Sequence, residues 1–128
     1  MKRVVKSSQE ILGMARVGYA AGLEIYVNTN DAGSIPHFHI RDKDDWDKFH
    51  SCIKILSAEY FAHEGKEDTL NSKQRKKLQE FLSSPADIDI EGATIPNNWK
   101  YICILWNSNN SSTRIPKDAK MPDYRQLR

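Results

Sequence analysis

Leu23-Glu24-Ile25-Tyr26-Val27 and, after a polar loop, Pro36-His37-Phe38-His39-Ile40-Arg41 are the stretches whose reading decides the fold. The first is dense in β-branched and aromatic residues and reads as a strand. The second opens on a proline, whose missing N–H is harmless at a strand start. Side chains on a strand alternate between faces. His37, His39 and Arg41 therefore share one face, and Phe38 and Ile40 the other. An antiparallel sheet commonly keeps one dry face and one wet face. Phe38 and Ile40 belong on the dry one, which puts the two histidines on the wet face or in a cleft at its edge.

Residues 14–19 alternate loosely, and Ala21-Gly22 is a turn, so residues 14–27 read as a hairpin. Residues 28–34 are a loop by composition. A charged turn around Trp46 spans 42–47, and a fourth strand is expected over 49–56. Residues 59–68 read as an irregular connection. A helix is predicted over 72–83, capped by Asn71 or Ser72 and stopped ahead of Pro85. Leu70, Leu78, Phe81 and Leu82 make its apolar stripe, and Lys73, Arg75, Lys76 and Lys77 its basic face. A second helix runs from Asn97 or Asn98 to about Asn109. Its Trp99, Ile102, Cys103 and Trp106 follow the spacing of a core-facing stripe. Residues 1–12 read as a short helix or an ordered arm, and residues 87–92 as a loop or short edge strand.

Strands first and helices after predict an α+β fold. It has a small antiparallel sheet of about four strands followed by two helices packed on one face. Residues 1–107 form a single domain. Residues 108–128, rich in Ser and Asn with Pro116 and Pro122, form an extended C-terminal tail that docks on the domain or orders on a partner.

The chain has 128 residues, enough for one core. Apolar residues make up 39% and charged residues 28%, ordinary for a globular protein. A net charge of +2 forces neither a nucleic-acid nor a membrane partner. No stretch reads as a signal peptide or membrane span, so a cytoplasmic location without a membrane partner is expected. The only cysteines, Cys52 and Cys103, match no zinc spacing and read as buried reduced thiols.

Two imidazoles on one patch are the raw material of a divalent-metal site or of an acid/base pair. A metal needs further ligands, and Asp31, Asp42, Asp44, His50 and His63 are the candidates. Without a metal, one histidine can take the ribose 2′-hydroxyl proton of RNA while the other protonates the leaving oxygen. Arg41 would then hold the phosphate. Lys73, Arg75, Lys76 and Lys77 would track nucleic-acid backbone, or form an ordinary solvated face. The plain alternative for the histidines is hydrogen bonding to backbone carbonyls that keeps the strand rigid. Asp87, Asp89 and Glu91 read as a solvated loop.

The segment from Glu24 to Ile40, ending Ile35-Pro36-His37-Phe38-His39-Ile40, resembles a bacterial family defined as domain of unknown function forty-one-sixty. Members show a strand, a polar loop, Pro-His-Phe-His and an apolar residue. Ala32-Gly33-Ser34-Ile35 stands where members often carry a second proline and an extra histidine or asparagine. Leu70-Asn71-Ser72-Lys73-Gln74 and the helix from Asn98-Trp99 to Asn107 look like the family's helical half. The resemblance implies a toxin–antitoxin-like genetic context and carries no catalytic residues over.

The leading expectation is thus a component of a bacterial or phage toxin–antitoxin-like module that binds or acts on RNA. His37 and His39 would be its catalytic or metal-binding residues, and Arg41, Lys73, Arg75, Lys76 and Lys77 its nucleic-acid contacts. A protein partner encoded nearby and self-association both fit that setting. The alternative is a non-enzymatic module, an antitoxin or phage-encoded inhibitor, that docks on a protein through Tyr124 and Arg125. The sequence leaves open whether the chain is an enzyme, of ribonuclease type if so.

Overall fold

The computed structural model describes residues 3–5, 15–28, 35–45, 47–62, 67–110 and 113–128, with residues 3–5 and 109 as backbone. The expected arm over residues 1–12, the loop after Asn28, Trp46, and the candidate ligands Asp31 and His63 lie wholly or mostly outside them. The chain is α+β. Strands β1 (Arg3–Val5), β2 (Ala15–Ala20), β3 (Leu23–Val27), β4 (His37–Asp42) and β5 (His50–Lys54) precede helix α1 (Ser72–Ser83). Strands β6 (Ile88–Ile90) and β7 (Ala93–Thr94) follow, then helix α2 (Asn98–Asn109). A 3-10 turn, Tyr124–Gln126, lies near the chain end.

The main sheet has four antiparallel strands in sequence order, β2-β3-β4-β5. Ala21 and Gly22, both at positive φ (52° and 77°), close the β2–β3 hairpin, as a two-residue turn matched to strand twist requires. The Asp42 carboxylate accepts from the backbone N–H groups of Asp44 and Asp45 at 2.9 Å each and starts the β4–β5 turn. Those bonds hold its pKa below the usual carboxylate range. Asp42 is thereby spoken for as a turn former, and Asp44 is exposed beside it. A second small sheet, β1-β6-β7, was not expected. It pairs β6 in parallel with the distant β1, in register Arg3 to Ile88, so of the two readings of residues 87–92, loop or short edge strand, the strand holds for Ile88–Ile90.

Asn71 caps α1 within a capping box: it accepts from Gln74 N–H at 2.8 Å, and the Gln74 side chain accepts from Asn71 N–H at 2.9 Å. The α1 stripe lies over the Phe38/Ile40 face of the sheet, where Leu70 and Leu78 meet Leu23, Ile25 and Ile40. Gly18 allows that approach, because a Cβ there would stand 2.5 Å from the Phe81 ring. Asn97 caps α2, accepting from Lys100 N–H at 2.7 Å. One apolar stripe was expected on α2, yet Tyr101 and Leu105 are buried as well as Trp99, Ile102, Cys103 and Trp106.

The tail is packed on the domain. Ile115 and Tyr124 are buried. Arg128 N–H donates to the Ala58 carbonyl at 3.1 Å, and Tyr60 N–H donates to the Arg128 carbonyl at 2.8 Å. The expectation that Tyr124 offers an exposed contact to a partner is overturned. Its hydroxyl donates to the Ile55 carbonyl at 2.6 Å and accepts from Trp99 Nε1 at 3.0 Å. A lone aromatic in a polar tail found apolar surface within its own chain. Arg125 is exposed and closes a two-bond clasp on Asp123, 2.9 Å in each bond.

Candidate metal centre

The expectation of a wet histidine face is also overturned: His37 and His39 are each 1% exposed. Every residue from His37 to Arg41 is buried, the pattern of a strand covered on both sides. On the histidine side, the Phe61 ring stands edge-on to His37 at 4.8 Å and Trp106 lies 5.4 Å from it. Phe61 comes from beyond β5 and Trp106 from α2, both far away in sequence.

Strand register assembles the polar face in rows. Glu24, Arg41 and His50 lie side by side across β3, β4 and β5. Tyr26, His39 and Cys52 form the next row, and His37 opens the third. In the first row Arg41 donates to Glu24 Oε1 from Nε at 2.9 Å and from Nη2 at 2.7 Å. Arg16 donates to the other oxygen at 3.0 Å. Arg41, expected as a phosphate contact, is therefore a buried ion-pair partner. Its guanidinium also stands 4.2 Å above the Tyr26 ring, a cation–π contact.

In the second row Tyr26 stacks on His39 with centroids 4.9 Å apart. Burial pushes the Tyr26 phenol up to about 12, against the opposing pull of Arg41, so its proton stays on at neutral pH. The Tyr26 hydroxyl lies 3.1 Å from His50 Nε2. That nitrogen lies 3.2 Å from His39 Nδ1, which lies 3.1 Å from Cys52 Sγ. His37 adds a further nitrogen donor group, and its Nδ1–H donates to the Ile35 carbonyl at 2.7 Å. Such a bond places the proton on Nδ1 and leaves the Nε2 lone pair to act, as in histidines that ligate metals.

One donor atom from each of His37, His39 and Cys52 lies within 4.8 Å of the others, and this buried cluster could hold a metal ion. A single ring nitrogen has one lone pair or one proton. His39 Nδ1 therefore cannot make a full two-centre hydrogen bond with both His50 and Cys52 in the same sense. Donors converging on a cation face no such limit. Bond lengths of about 2.0–2.1 Å to nitrogen and about 2.3 Å to sulfur put the donors of a tetrahedral zinc shell about 3.3–3.6 Å apart. His39 Nδ1 and Cys52 Sγ stand 3.1 Å apart, inside that nitrogen–sulfur edge, and His50 Nε2, 3.2 Å from His39 Nδ1, lies beside the three-residue cluster.

The structure brings His37 and His39 together with His50 and Cys52. It does not bring the basic helix to them, because α1 lies over the opposite face. Lys73, Lys76 and Lys77 are exposed. Arg75 is half-buried and donates to the carbonyls of Leu70 at 2.8 Å and Arg125 at 3.3 Å, so it ties α1 to the tail. Sequence reading missed Cys52, Glu24 and Tyr26 as parts of this face. The signal was present: His50-Ser51-Cys52 repeats the spacing of His37-Phe38-His39 on the neighbouring strand. Cys103, the other thiol, lies buried in α2, where desolvation pushes it up to about 12.

No helix among the described residues is long and apolar enough to cross a membrane. No family model, curated protein or solved structure matches this chain.

Proposed function

We propose that this chain is a metal-binding α+β domain in which His37, His39 and Cys52 hold one divalent ion of the zinc class, with His50 beside them. The observation that carries this reading is the convergence of these nitrogen and sulfur donors inside a buried sheet face. Imidazole with thiolate suits zinc far better than magnesium or calcium, which take oxygen ligands. Catalytic zinc keeps an open position for substrate. Donors this buried favour an ion that cross-links β4 to β5, in place of the RNA-cleaving histidine pair. Bound only by the folded chain, such an ion adds to stability.

Cobalt(II) titration of the purified, metal-stripped chain is the test. One equivalent is expected to bind with a thiolate-to-cobalt charge-transfer band, which zinc then displaces. Cys52→Ser should lose the band, and His37→Ala with His39→Ala should lose stoichiometric binding. Zinc should raise the melting temperature of the parent and leave that of the variants unchanged. A folded parent that takes up neither ion refutes the proposal.

RNA binding within a toxin–antitoxin-like module is the second reading, and Lys73, Lys76 and Lys77 on the outer face of α1 favour it. Lys77 has only a loose pair with Glu80, at 3.8 Å. Exposed cations lined along one helix can neutralise successive phosphates. The expected result is salt-sensitive binding of single-stranded RNA. Its slope against log salt should fall by about 0.7 for each of these lysines changed to glutamine. Binding whose slope ignores the three substitutions would count against this surface.

A further inference from the structure

A second site lies on the other side of α2. Lys100, Cys103, Ile104, Asn107 and Ser108 recur at helical spacing on one face of that helix, and the chain at residues 114–117 runs across them. The crossing is fixed by the Asn107 amide, which donates to the Ile115 carbonyl at 2.9 Å and accepts from Ile115 N–H at 2.7 Å. Between helix and crossing segment lies a cavity of about 460 Å³, within the range of small-molecule sites.

Its lining has an unbalanced charge. Lys100, Arg114 and Lys117 all border it, and no carboxylate among the described residues does. None of the three cations forms an ion pair among the described residues. Lys100 spends one N–H on the Lys117 carbonyl at 2.7 Å, and Arg114 spends one on the Asn107 carbonyl at 3.3 Å. Lysine carries three donors and arginine five, so most of their donors remain available. Ile104, Ile115 and Pro116 supply an apolar wall beside the charges.

We propose that this cavity binds a phosphomonoester with an apolar or planar body, of the size of a mononucleotide. Three cations without a counter-charge favour a doubly charged phosphate, which accepts charge-assisted hydrogen bonds from arginine and lysine. The volume and the isoleucine-proline wall accommodate the organic part that a bare anion would lack.

The test is calorimetric titration of the full chain at low salt with AMP, adenosine and inorganic phosphate. AMP should bind more tightly than either fragment. Arg114→Gln with Lys117→Gln should weaken AMP by about ten-fold or more, the loss expected for charged hydrogen bonds, and leave the melting temperature unchanged because both side chains are exposed. Lys117→Gln alone should show a smaller loss in the same direction. No heat with millimolar AMP, equal binding of AMP and phosphate, equal binding of AMP and adenosine, or AMP affinity indifferent to the double substitution overturns the proposal.

Discussion

Replacing Arg41 by alanine is expected to destabilise the fold by about 3–5 kcal/mol, the cost of breaking a buried ion pair from one side. Arg41 is 3% and Glu24 4% exposed. Without Arg41 the Glu24 carboxylate stays buried with only Arg16, whose side chain is 56% exposed and weakly held. The contact over Tyr26 goes too. Total stabilities run about 5–15 kcal/mol, so a large share of the fold would be at stake. Replacing both partners by apolar residues of similar volume, Glu24→Leu with Arg41→Met, should recover most of the loss, because both charges then leave the interior together. Urea unfolding of the parent, the single variant and the double variant measures this. An arginine facing solvent to meet phosphate would cost within about 0.5 kcal/mol when removed. A loss that small in the single variant would show that the pair is not buried in solution.

Tyr124→Ala is the second large effect, at about 3–5 kcal/mol, as for other large buried aromatics. The ring is fully buried and meets Phe38 edge-on with centroids 5.8 Å apart. Tyr124→Phe keeps the ring and removes a hydroxyl that bonds Ile55 and Trp99, so it should cost about 1–3 kcal/mol. Deleting residues 113–128 takes Ile115 as well and strips the cover from α2. The truncated chain is expected to lose cooperative unfolding and its near-ultraviolet circular dichroism. A truncated chain melting as sharply as the parent would show that the tail is an accessory, free to serve a partner.

Both results bear on how far local pattern reaches. The hairpin at Ala21-Gly22, the start of α1 at Asn71 or Ser72 and the alternation of β4 were legible because each depends on a few neighbouring residues. The β1–β6 pairing was not, since it joins residues more than eighty positions apart. The candidate site was half legible. His37 and His39 announce themselves by their spacing, while Cys52 looked like an inert core thiol until register set it beside His39.

By itself the sequence determined the α+β order, the four strands of the main sheet and the two helices, each helix start to within two residues, and which side chains of β4 share a face. Those properties follow from backbone periodicity and local hydrogen bonding. Only the tertiary structure decided what covers each face. Phe61 and Trp106 close over the histidines, Glu24 claims Arg41, and Tyr124 inserts into the core, all from distant positions in the chain. Alternation says which residues point the same way, but exposure and chemistry depend on what packs against them, which is set by long-range contact.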